Sequence, residues 1–82
     1  MTIDLDGPEP IYRQIARVIT ERIKDGTYPP NRLVPSESAV CEEFNVSRRT
    51  ARSVYALLTE QGWVVRVPGR GTFAAPEPPP QS

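Results

Sequence analysis

The sequence predicts a mainly α-helical domain with a small β wing: three helices followed by a two-stranded hairpin. Three observations carry that expectation. Ile11–Asp25 repeats its apolar residues at helical spacing, two further short helical patterns meet at Asn45-Val46-Ser47, and the pattern then changes to alternation at Trp63–Val67. With 82 residues, and with poor core material at both ends, roughly 65 residues are left for one small fold near the lower size limit for a single core.

The first nine residues are acidic and contain Gly7-Pro8, and are expected to be flexible. Pro10 suits the first helical turn, where its missing N–H is not needed. Ile11, Ile15, Val18, Ile19 and Ile23 then cluster on one side with Tyr12 and Ala16, while Arg13, Arg17, Thr20, Glu21 and Lys24 take the other. Gly26 is the expected C-terminal cap. Thr27–Asn31 reads as a loop stiffened by Pro29-Pro30, with Asn31 suited to a left-handed turn, and Arg32-Leu33-Val34 reads as a very short strand.

Ser36 is the expected N-cap of the second helix, which runs to Phe44 with Glu37 in its first turn and Val40, Cys41 and Phe44 toward the core. Asn45-Val46-Ser47 is a tight turn, and Ser47 caps the third helix, which Gly62 ends. Helix, tight turn, helix is the helix-turn-helix arrangement. At ~100° per residue, Ala51, Val54 and Leu58 fall within about 60° of one another. Arg48, Arg49, Arg52, Ser53 and Ala56 fill the opposite arc. Such a helix can rest its apolar side on a core and present arginines to a DNA major groove; the alternative is a solvated basic face. Tyr55 lies at the edge of the apolar arc, with its hydroxyl expected at the surface. Trp63 is expected in the core under the wing. Trp63–Val67 and Thr72–Ala75 are the hairpin strands, and Pro68-Gly69-Arg70-Gly71 supplies the turn. Residues 76–82 form a proline-rich tail expected to be extended and disordered.

Composition narrows the chemistry. Formal net charge is zero, yet Arg48, Arg49, Arg52, Arg66 and Arg70 face only Glu60 across residues 45–75, while residues 1–31 are slightly acidic. Arginine suits bidentate contact with phosphate and guanine. With no histidine and one cysteine, the chain lacks the residues for Ser-His or Cys-His catalysis and for thiolate-rich zinc sites, so no enzyme activity, metal or cofactor is expected. The lone Cys41 reads as a small buried apolar residue, with a redox sensor as the weaker alternative. No apolar run is long enough to span a membrane, no signal peptide is present, and a single cysteine fits a reducing cytoplasm.

Three helices and a wing make a winged helix-turn-helix, and at this point a family becomes recognisable. Pro10-Ile11-Tyr12-Arg13-Gln14-Ile15, Leu33-Val34-Pro35-Ser36-Glu37, Val46-Ser47-Arg48-Arg49-Thr50-Ala51-Arg52, Gly62-Trp63 and Gly69-Arg70-Gly71-Thr72-Phe73 resemble, in order, the DNA-binding domain of the GntR family of bacterial transcription regulators. The resemblance covers about residues 10–75. It implies base or phosphate contacts from Arg48, Thr50 and Arg52, and a backbone or minor-groove approach at Gly69 and Arg70. It also implies repression by operator occupancy, in the cytoplasm at the nucleoid. Ser38 stands where the family often has a DNA-contacting arginine, which puts one contact in doubt. Asn31 and Asn45 stand where glycine is usual, a mild change because asparagine tolerates positive φ. The family usually carries a C-terminal effector-binding and dimerising domain. None follows here, so the chain is expected to be either a stand-alone module or the reader head of something longer.

The resulting expectations for double-stranded DNA are specific. Arg48 and Arg52 read guanine or adjacent phosphates, and Arg49 clamps a phosphate or serves solubility. Thr50 is in reach of a phosphate, a thymine methyl or a backbone carbonyl, and Ser53 lies on the same face. Arg70, kept slim by Gly69 and Gly71, enters an adjacent minor groove or is the charged tip of an ordinary turn. Ser36 caps its helix, whose N-terminus, with Ser38, can meet a phosphate through backbone N–H groups. A homodimer on a palindrome is one stoichiometry among several. The rival functions are a winged-helix protein-interaction module, with the proline tail as a ligand, and a non-specific DNA-binding protein.

Overall fold

A computed structural model describes residues 9–77 and 79 of the chain. In chain order the elements are α1 (Ile11–Lys24), α2 (Glu37–Phe44), α3 (Arg48–Gln61), β1 (Val64–Val67) and β2 (Gly71–Ala74). Pro10 stands just outside α1 rather than in its first turn: its ψ of 146° is extended, while its carbonyl accepts from the Arg13 N–H at 3.1 Å. No side chain caps this end. Gln14, buried within the helix, donates from Nε2 to the Glu9 carbonyl at 3.0 Å, and the Glu9 carboxylate pairs with Arg17. Glu9 is therefore tied to α1; the rest of the expected flexible N-terminus, residues 1–8, lies outside the described residues, as do Pro78 and residues 80–82 of the tail.

α1 ends one residue before the expected Asp25, which is its C-cap. The cause is local. The Asp25 carboxylate accepts from the Thr27 N–H at 2.9 Å and the Thr27 hydroxyl at 2.6 Å, a turn that competes with continued helix. α2 starts where expected. Ser36 Oγ accepts from the Ala39 N–H at 3.1 Å, and Asn45 ends the helix in the left-handed region at φ 55°. Its short apolar face buries Val40 fully, with Cys41 and Phe44 half-buried beside it.

Ser47 repeats the capping device on α3, accepting from the Thr50 N–H at 3.2 Å. At the far end Gly62, at φ 88°, lets the Trp63 N–H reach the Leu58 carbonyl at 2.9 Å, which closes the helix in a Schellman pattern. The apolar arc of α3 is wider than the sequence suggested. Tyr55 joins Ala51, Val54 and Leu58 inside, only 1% exposed, and its hydroxyl donates to the Pro35 carbonyl instead of facing solvent. The lead-in to α2 thus gives the hydroxyl a partner that water would otherwise supply.

β1 and β2 pair antiparallel in the register Val64↔Ala74, Val65↔Phe73, Arg66↔Thr72 and Val67↔Gly71. β1 starts one residue later than expected, with Trp63 preceding it but buried as expected, and β2 is shifted back by one residue, beginning at Gly71 and ending at Ala74. The turn is held by the Arg70 N–H on the Val67 carbonyl at 3.0 Å, with Pro68 and Gly69 (φ +78°) central, the type II combination. Arg32–Val34 is reduced to a single bridge, Leu33↔Phe73. Around it Val34 N–H meets the Thr72 carbonyl at 3.0 Å and Ala74 N–H meets the Arg32 carbonyl at 2.8 Å. This segment makes a third edge to the wing. The core lies between the helices and the inner wing face: Ile15, Ile19, Val40, Val54, Tyr55 and Leu58 are fully buried, and Val34, Trp63, Val64 and Ala74 close it from the wing side.

Candidate nucleic-acid interface

Burial of Ala51, Val54, Tyr55 and Leu58 fixes the rotation of α3, and that rotation turns Arg48, Arg49, Arg52 and Ala56 to solvent. Among the described residues none of these three arginines pairs with a carboxylate. The capped N-terminus of α3 therefore presents unneutralised guanidinium groups, with the small Ala56 further along the same face. Among the described residues Arg48 has one partner: its Nη2 donates to Ser38 Oγ, in the first turn of α2, at 2.9 Å.

The hydroxyl groups expected on this face are already engaged. Thr50 Oγ1 lies 3.1 Å from Ser47 Oγ, beside the cap. Ser53 Oγ donates to the Arg49 carbonyl one turn back at 3.2 Å. Ser36 Oγ serves the α2 cap. Ser38 accepts from Arg48 and stands exposed beside the first turn of α3.

The wing supplies the second part of the surface. Gly69, Arg70 and Gly71 are all exposed at the hairpin tip, and among the described residues Arg70 makes no ion pair. Gly71 stands at φ +123°, a conformation that favours glycine, and the end of the Leu33 side chain lies 3.0 Å from where a Cβ would stand. Arg66, one of the basic residues of this half, is not free: its guanidinium pairs with Glu37 at 3.3 Å and ties β1 to the first turn of α2. Arg32 is an exposed cation that the sequence pattern did not single out. Its place beside the wing follows from the Leu33↔Phe73 bridge, which links residues 40 apart and leaves no local signal.

Behind the interface the helices are clamped to each other. Arg22, near the end of α1, forms a two-pronged contact with Glu43 of α2, donates to the Tyr28 hydroxyl at 2.8 Å, and lies over the Phe44 ring at 5.7 Å. The hydrogen bond from Arg22 holds the Glu43 carboxyl below the usual carboxylate range. Pairing therefore neutralises an acidic charge two residues before the turn that leads into α3. Among the described residues no group of His, Cys, Asp or Glu is placed to hold a metal ion, and no helix is long and apolar enough to cross a membrane.

Residues 11–74, from the first residue of α1 to the last of β2, match the family described as bacterial regulatory proteins, gntR family. The chain belongs to the GntR family. The histidine utilization repressor of Pseudomonas putida is 40% identical over 70 residues, which cover 85% of this chain and 28% of that protein. Two solved structures share the fold. AraR(DBD), crystallised in complex with operator ORR3, superimposes with a TM-score of 0.76 at 31% identity, covering 92% of this chain and 93% of that one. YtrA from Sulfolobus acidocaldarius, a GntR-family transcription factor, gives 0.82 at 32% identity, covering 94% of this chain and 66% of that one. The winged helix-turn-helix expected from the sequence is thus the GntR domain, and this chain spans under a third of the length of the curated relatives it matches.

Proposed function

We propose that this chain binds duplex DNA sequence-specifically and acts as a transcription repressor by occupying an operator. One observation carries the reading: the capped N-terminus of α3 presents Arg48, Arg49 and Arg52 to solvent with no carboxylate paired to any of them among the described residues. In a helix-turn-helix the N-terminal residues of the second helix are those that contact base edges. Arg48 and Arg52 take direct readout, Arg49 takes a phosphate, and the Gly69–Gly71 tip approaches the neighbouring minor groove with Arg70. Thr50 and Ser53, whose hydroxyl groups are committed within α3, add surface to that face. Ser36 organises the α2 N-terminus for a phosphate. AraR(DBD), which superimposes on this chain and was crystallised with an operator, supports the same docking. The site of action is the cytoplasm, at the nucleoid, and a homodimer on a palindromic operator is one stoichiometry among several.

The test is affinity for a duplex selected from a random pool, measured from low to high salt. Neutralising about five phosphates per domain gives a slope of about −4 to −5 in log K against log salt, and a dimer about doubles it. A flat response, or equal affinity for selected and random duplex, overturns the reading.

A further inference from the structure

Arg48 differs from Arg49 and Arg52 in one respect: the fold already holds its guanidinium. Its Nη2 donates to Ser38 Oγ at 2.9 Å, and Ser38 is the second residue of α2 while Arg48 is the first of α3. The bond therefore bridges the first turns of the two helices of the helix-turn-helix. Ser38 has no part in the cap, which belongs to Ser36. Both residues are exposed, so water competes for each partner and the bond adds little to stability. Its effect is on geometry.

A free arginine side chain samples many rotamers, and a planar fork loses less freedom per contact when it is oriented beforehand. The guanidinium carries five N–H donors in a fixed arrangement, so donating one from Nη2 leaves enough to meet two acceptors at once. The Ser38 hydroxyl, while accepting, keeps its own proton to donate outward. Arg49 and Arg52 have no such tether among the described residues, so the three arginines of this face are not equivalent.

We propose that Ser38 is a specificity-determining positioning residue: by holding Arg48 across the gap between α2 and α3, it fixes which base pair that side chain reads, with the O6 and N7 of a guanine as the acceptors. This rests on the DNA-binding reading above. Direct recognition is sensitive to small displacements, because a bidentate contact with guanine requires both hydrogen bonds at once. A tether anchored on α2 makes the position of the Arg48 fork depend on the packing of two helices rather than on one side chain's torsions.

The experiment uses the full chain and a duplex selected from a random pool, with every base pair of the site varied in turn. Ser38→Ala, Ser38→Thr, Arg48→Ala and the double variant Ser38→Ala with Arg48→Ala are compared with the parent. Alanine is the stronger helix former, so Ser38→Ala keeps α2 intact, which circular dichroism checks. Ser38→Ala is expected to lower the guanine preference at one base pair about three- to tenfold, the effect of one hydrogen bond. The loss is concentrated at that base pair and exceeds any change in affinity for random duplex. Ser38→Thr, which keeps the hydroxyl, restores the preference, and Ser38→Ala has no further effect once Arg48 is alanine. Unchanged base preference in Ser38→Ala overturns the proposal, as does a loss spread evenly over all sequences, a failure of threonine to rescue, or an effect that persists without Arg48. A parent chain that does not discriminate selected from random duplex fails a step earlier and removes the DNA-binding reading itself.

Discussion

At the scale of single residues, what separates the arginines of this half of the chain is their partners. Arg66 is held by Glu37 and Arg48 by Ser38, whereas Arg49, Arg52 and Arg70 are exposed and unpaired among the described residues. Arg52→Ala is expected to cost about 1–3 kcal/mol of discrimination at one base pair, with the fold unchanged by circular dichroism. Arg49→Ala, at a phosphate position, is expected to weaken all sequences alike and to lower the salt slope by about one. Exchange of those two profiles would reverse the assignment. Tyr55 gives a stability test. Tyr55→Phe leaves the Pro35 carbonyl without its donor and is expected to cost about 1–2 kcal/mol in denaturant unfolding. Burial pushes the Tyr55 phenol well above its ordinary value of 10.0. The folded state therefore resists ionisation longer than the unfolded chain does. Stability is unaffected below pH 10.0 and falls as pH rises beyond it, and Tyr55→Phe is expected to flatten that alkaline decline.

At the scale of elements, termini decide more than interiors. Ser36 and Ser47 each hold a helix N-terminus through a hydroxyl, and Ser47→Ala is expected to cost about 1 kcal/mol while fraying the turn that carries Arg48. An equal thermal midpoint for that variant would show the cap to be replaceable by water. The clamp between α1 and α2 has a pH signature. Arg22 lowers the Glu43 pKa, so its contribution is complete above the ordinary carboxylate range and is lost as pH falls through the depressed value. Asp25 acts in the same direction through its hydrogen bonds from Thr27. Glu43 is 40% exposed, so screening limits the pair to about 1 kcal/mol. Thermal melts between neutral and acid pH are expected to show a shallower acid decline for Glu43→Gln than for the parent. An identical decline would place the titrating groups elsewhere.

At the scale of the whole molecule, one core serves two surfaces. The side of α3 that meets α1, α2 and β1 fixes, by exclusion, the side that faces outward. The wing is fastened to the helices by Arg66–Glu37, by the Leu33↔Phe73 bridge and by the buried Val64 and Ala74. Gly71→Ala tests that fastening, because φ +123° and the nearby Leu33 side chain both oppose a Cβ. The variant is expected to lose about 1–3 kcal/mol of stability and to weaken duplex binding by moving the tip. Unaltered stability would mean that the hairpin yields without cost.

Much of this was legible locally. Periodicity in α1 and α3, hydroxyl caps before α2 and α3, left-handed residues at Asn31, Asn45 and Gly62, and the Pro-Gly turn of the wing each act over a few residues, so the sequence by itself determined the element order and the basic face of α3. Tertiary structure alone decided the rest. The Tyr55 hydroxyl turned inward because the Pro35 carbonyl lies within its reach, the segment expected as a strand at Arg32–Val34 met β2 through one bridge and its flanking hydrogen bonds, and Arg66 and Arg48 acquired partners from α2. These contacts join residues 10 to 40 positions apart, and their geometry depends on how the helices pack, which no window of neighbouring side chains encodes.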